Sequence, residues 1–95
     1  MVDPEIDNPD MKQLFDVILK LKNVTECQQF FRDLCTLSEL KDMSERFQVA
    51  KMVYDRKTYR EIREKTGSSS ATITRVAHWL HHGMGGYKLV LERMR

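Results

Sequence analysis

Prolines and glycines are scarce in this chain: it has two and four in 95 residues, and both prolines fall in the first ten positions. Folds rich in strands need frequent turn residues, so this scarcity, with six methionines, favours helix over sheet. There are only two cysteines, Cys27 and Cys35. Along a helix they would lie ~12 Å apart at ~1.5 Å per residue, too far for a disulfide within it. They read as reduced, buried small hydrophobes. No apolar run is long enough to cross a bilayer, and the first residues lack a signal peptide's basic start and apolar core. The expectation is a cytoplasmic protein with no membrane partner. A phosphate-cradling loop is missing too, because Gly83, Gly85 and Gly86 follow a helical pattern rather than a strand. No local pattern joins a cysteine to a histidine. Neither catalysis nor a cofactor is expected.

Charge is present but unevenly spread. The formal net charge is +2, yet residues 1–55 carry −4 and residues 56–95 carry +6. All three histidines lie in the basic part. A polyanionic partner would require such a bias.

Read in order, the opening M-V-D-P-E-I-D-N-P-D, residues 1–10, holds a flexible or loosely extended acidic arm over residues 1–9, ending at a helix cap on Asn8 or Asp10, with Pro9 in the first turn. One helical domain over residues 10–95 is expected to follow. Its first helix runs to about Lys22, with Met11, Leu14, Phe15, Ile18, Leu19 and Leu21 on a broad apolar face. Thr25, with Gln28 three residues on, reads as the cap of a second helix holding Cys27, Phe30, Phe31 and Leu34. Thr36 and Glu39 form another capping box, opening a long helix to about Arg56. Tyr87, Leu89, Val90 and Met94 make a short last helix, giving about six in all. The apolar surface of the first three helices exceeds what one small globule can cover, which points to a second copy.

The stretch from Thr58 to Leu80, residues 58–80, reads as two short helices joined by a tight turn. Thr58 and Glu61 form a capping box, Ile62 is the apolar anchor, and Gly67 stops the first helix. Ser68, Ser69 and Ser70 offer hydroxyls to cap the second. Ile73, Val76, Ala77 and Leu80 form its inward stripe, while Ala71, Thr72, Thr74 and Arg75 stay outside. A small-residue helix tip with hydroxyls and a guanidinium suits a DNA major groove. Lys57, Arg60, Arg63 and Lys65 add positive charge for the flanking backbone.

The segments R-E-I-R-E-K-T-G and A-T-I-T-R resemble the DNA-reading motif of the Trp repressor family, and T-L-S-E-L-K-D-M-S-E-R resembles the segment before it. About one residue of length difference falls near Arg56. Over the whole chain, R-D-L-C-T-L-S-E-L and H-H-G-M-G-G-Y are similar to the family's YerC/YecD subgroup. The resemblance implies an all-α, intertwined homodimer that binds operator DNA. It places Arg60 and Arg63 near phosphates and base edges, and Ser70, Ala71, Thr72 and Thr74 at the start of the recognition helix. Thr36, Arg46 and Arg75 match positions that line the corepressor pocket of the tryptophan-sensing member. That member's glycine after the motif arginine is Val76 here, and its ammonium-contacting serine is Trp79. Trp79, four residues from Arg75 and able to stack on it, would with Val76 fill the tryptophan space. The chain would then need no tryptophan, or would sense another small molecule whose identity these residues do not give. Alternatively, Trp79 is a packing residue.

His78, His81 and His82 sit at helical spacing without a carboxylate or thiol nearby in sequence, so no metal is expected. A second function class stays open: a protein-interaction module on the same scaffold. Exposure of Arg60, Arg63, Thr72 and Thr74 together favours DNA over that alternative.

Overall fold

The structure, a computed structural model, describes residues 2–95. It is all-helical, with six α-helices and one 3-10 turn and no strand among the described residues. The helices are α1 (Pro9–Ile18), α2 (Val24–Leu34), α3 (Leu37–Tyr54), α4 (Tyr59–Thr66), α5 (Ser70–His82) and α6 (Gly86–Arg93). The chain divides into two compact units, the first ending at Leu40 and the second running from Lys41 to Arg95. The sequence pointed to one domain over residues 10–95. Every buried residue among those described lies at Val49 or beyond, in the second unit.

In the first unit, local capping explains the element boundaries. Residues expected to form a loose arm contain a 3-10 turn, Pro4–Ile6, opened by the Asp3 carboxylate accepting from the Glu5 N–H at 2.9 Å. Asn8 caps α1 through the Met11 N–H, and Pro9 takes the first helical position. α1 stops at Ile18, short of Lys22, because N–H groups of Lys20 and Leu21 bond three residues back and tighten the chain into a turn. Asn23, not Thr25, caps α2: its side chain accepts from the Glu26 N–H, and the Glu26 carboxylate accepts from the Lys22 N–H, each at 2.9 Å. The carboxylate also suits the positive end of the helix better than the Gln28 amide would. At the start of α3, Thr36 and Glu39 form the expected reciprocal pair. The Thr36 backbone N–H, and then its hydroxyl, hold the Glu39 carboxyl below its ordinary value. Cys27 and Cys35 are free thiols and only partly buried.

The second unit has a core. Val49 and Ala50 of α3, Ile62 of α4, and Ile73 and Val76 of α5 are buried together, with Met52, Val53 and Tyr87 packed against them. Leu80 and Leu91 are buried as well. The chain leaves α3 through Arg56, a non-glycine residue with φ 61°. The Arg56 N–H bonds to the Val53 carbonyl and the Lys57 N–H to the Met52 carbonyl, each at 3.0 Å. These paired bonds satisfy the end of the helix in the manner of a Schellman turn.

Candidate nucleic-acid interface

α4 and α5 are fixed by three local devices. Thr58 and Glu61 form a complete capping box at the start of α4. Gly67 takes φ 75°, and its N–H bonds to the Arg63 carbonyl at 2.9 Å, closing the helix. Ser69 then caps α5 by accepting from the Thr72 N–H at 3.1 Å. Of the three serines, Ser68 does something else: it is buried, and its hydroxyl has no partner within the described residues. Its backbone N–H donates to the Thr66 hydroxyl, which in turn donates to the Ile62 carbonyl. The turn is therefore tied to the first helix as well as stopped by glycine.

The inward stripe is as the spacing predicts. Ile73, Val76 and Leu80 are buried, and α5 continues past Leu80 to His82. On the outer side, Lys57, Arg60, Arg63, Ser69, Ser70, Ala71, Thr74 and Arg75 are exposed, and Thr72 is half-buried. Their side chains are not equally free. The Ser69 hydroxyl donates to the Thr72 hydroxyl at 3.1 Å. Arg63 donates through Nη1 to the Ser70 Oγ at 2.7 Å, joining α4 to the tip of α5. Arg60 donates through Nε to Glu64 Oε1 at 3.2 Å. Thr74 stands exposed, with no side-chain hydrogen bond among the described residues. The Arg60–Glu64 pair has the four-residue spacing of one helix face, whereas the Arg63–Ser70 bond spans seven positions and crosses the turn.

The residues matched to an effector pocket are placed as follows. Thr36 lies in the first unit and caps α3. In the second unit, Arg46 and Arg75 are exposed, and Val76 is part of the core at 2 % exposure. Trp79 is 54 % exposed. The expected stacking of Arg75 on Trp79 is not formed among the described residues. Trp79 instead meets His78 edge to face, centroids 5.3 Å apart, and the guanidinium over a ring is Arg95 on Tyr54 at 4.9 Å. Reach at four-residue spacing permits a pair, but the rotamers decide whether it forms. His78 and His82 lie 5.3 Å apart between centroids, and no group of three or more His, Cys, Asp or Glu among the described residues could hold a metal. An open groove beside α3 and α4 is lined by Gln48, Lys51, Met52 and Asp55 and by Lys57, Glu61, Glu64 and Lys65. Its alternating charges favour neither sign of ligand. No helix among the described residues is long and apolar enough to cross a membrane.

Similarity to known proteins agrees with this architecture. The family model for Trp repressor protein matches residues 9–95. The uncharacterized protein YerC of Bacillus subtilis is 42 % identical over 86 residues, which cover 90 % of this chain and 83 % of YerC. The crystal structure of a TrpR-like protein from Eubacterium eligens superposes with a TM-score of 0.93 at 44 % identity, covering 97 % of this chain and 95 % of that one. A candidate Trp repressor from Staphylococcus aureus gives a TM-score of 0.92 at 44 % identity, covering 99 % and 94 %. With its helices in this order and these relatives along nearly its whole length, the chain belongs to the Trp repressor family, as a YerC-type protein.

Proposed function

We propose that this protein is a sequence-specific, DNA-binding transcription regulator of the repressor type. It acts in the cytoplasm as an intertwined homodimer and does not use tryptophan as corepressor. One observation carries the reading: Lys57, Arg60, Arg63, Ser70, Ala71, Thr74 and Arg75 are exposed together along α4 and the tip of α5, above a core that holds both helices. In the docking this supports, the Ala71-led tip enters the major groove and Thr74 meets base edges or thymine methyls. Lys57 and Lys65 contact phosphates and supply a salt-dependent affinity, and Arg60 and Arg63 stand near phosphates and base edges. Family membership supports the same reading.

A second copy is supported by the first unit. Phe15, Leu19, Val24 and Leu34 are 47, 81, 73 and 49 % exposed there, more apolar surface than a lone helical pair keeps in water. Two subunits would also present two reading tips to successive major grooves. As for the effector, the two departures bear on tryptophan directly: Val76 fills core volume and Trp79 adds an indole.

Arg63→Ala is expected to weaken binding to a selected duplex by about 1–3 kcal/mol, while Lys57→Ala flattens the salt slope by about one unit and leaves base preference alone. Fluorescence anisotropy across a salt series checks both, and equal, negligible effects from the two variants would rule out this docking. Calorimetric titration with L-tryptophan is expected to show no binding in the micromolar range. A micromolar dissociation constant would overturn the corepressor-free reading and leave the DNA reading standing.

A further inference from the structure

We propose that His78 and His82 form a two-imidazole site for a divalent transition cation of the zinc class; the site does not depend on the DNA-binding reading. Their four-residue spacing puts both rings on one face of α5 but supplies no third ligand. The fold adds their separation. The ring centroids lie 5.3 Å apart, with the planes tilted by 41°. A zinc ion sits about 2.1 Å from each ligating nitrogen, and that nitrogen about 1.1 Å from its ring centre, so tetrahedral angles place two rings held by one ion about 5.2 Å apart. The observed pair therefore already has the separation that a shared ion sets. His81 and His82 are 6.4 Å apart, wider than that. Adjacent residues point to different sides of a helix, so His81 is left out.

Both rings are exposed, and an ion can reach them without opening the core. No hydrogen bond among the described residues engages either ring, and the ion pairs found there, Lys12–Asp7 and Arg60–Glu64, lie elsewhere. The spacing is held to its last residue. α5 ends at His82, and the Gly83 N–H bonds to the Trp79 carbonyl at 2.9 Å. A Cβ at Gly83 would collide with that carbonyl oxygen, so glycine lets the chain leave here without disturbing the last turn. The surroundings select the class of ion. The site lies in the basic half of the chain, with Arg75 three residues before His78, so charge alone does not draw a cation in. Imidazole nitrogen suits zinc, copper and nickel, whereas magnesium and calcium take oxygen ligands. No third His, Cys, Asp or Glu joins the pair among the described residues. The remaining coordination positions are left to water, and the affinity is that of two ligands rather than of a closed structural site.

Trp79 reports on the site: it is the chain's single tryptophan and meets His78 edge to face, centroids 5.3 Å apart. The test titrates the full-length protein, its thiols kept reduced, with Ni2+ while tryptophan fluorescence is read. Ni2+ is expected to quench the signal saturably, with one ion bound per chain by equilibrium dialysis. Zn2+ should displace it and restore the fluorescence, and Mg2+ and Ca2+ should not. His78→Gln and His82→Gln should each raise the Ni2+ dissociation constant at least about tenfold, because losing one of two ligands costs no less than losing an outer partner of one. His81→Gln should leave it unchanged, and all three variants should keep the wild-type helix signal; where a glutamine variant loses it, the alanine variant at the same position takes its place. The assignment is overturned if His81→Gln weakens binding as much as the other two, or if either of those leaves it intact. It is also overturned if alkylation of Cys27 and Cys35 abolishes binding, or if one ion binds per two chains, which would put the site between copies. Quenching that never saturates and ignores Zn2+ means that the pair holds no ion.

Discussion

Helices α1 and α2 share with α4 and α5 a pattern of one polar and one apolar face, yet only the second pair carries fully buried residues. α1 and α2 contain no buried residue, whereas α4 and α5 close over Ile62, Ile73 and Val76. Amphipathicity thus specifies that a face must be covered without specifying by what. In the second unit the cover is intramolecular, because α3, α4 and α5 supply facing stripes within a short stretch of chain. In the first, Leu19 and Val24 stand almost fully in solvent. The proposed reading face thus sits on the unit that has a buried core, and the helices without one are those proposed to pair.

The sharpest way to break this contrast is in the core. Ile73→Ala removes a fully buried side chain and is expected to lower unfolding free energy by about 2–5 kcal/mol. Urea denaturation followed by helix signal measures it, and a loss below about 1 kcal/mol would mean the second unit is not the stable half. The next test concerns pairing. Phe15→Asp places a charge on the exposed apolar face of α1 and is expected to raise the dissociation constant of the proposed dimer about thirtyfold, the effect of losing one aromatic anchor at the interface. Sedimentation velocity across a dilution series reads this, and an unchanged profile would remove α1 from the pairing surface. The smallest effect belongs to the turn. Gly67→Ala meets no neighbour within 4 Å, so only the left-handed backbone is penalised, by about 1 kcal/mol. A melting temperature equal to wild type would show that the turn relaxes to another conformation.

Capping grammar is local, and that is why so much of the second unit is readable from its residues. Thr58 with Glu61, Gly67 and the stripe Ile73, Val76, Leu80 all act within one or two helical turns, and the all-helical class follows from them. Asn23 and Thr25 show the limit, since each has a polar partner three residues on; the choice falls to Glu26, whose carboxylate reaches the Lys22 N–H. Ser68 is indistinguishable from its two serine neighbours until the fold buries it. The Arg63–Ser70 bond and the missing Arg75–Trp79 stack depend on rotamers and on packing across a turn, which spacing does not encode. Nor does anything mark Arg56 as left-handed, because that conformation ordinarily selects glycine or asparagine.

Arg56 and Gly67 stand one on each side of α4, both with positive φ. Each reverses the local handedness of the chain, so the course of the chain into and out of α4 is set by backbone dihedrals rather than by the outward side chains. Under the proposed DNA-binding function, substitutions on the outer surface of α4 and α5 would therefore alter which duplex is chosen without rotating the two rods against each other.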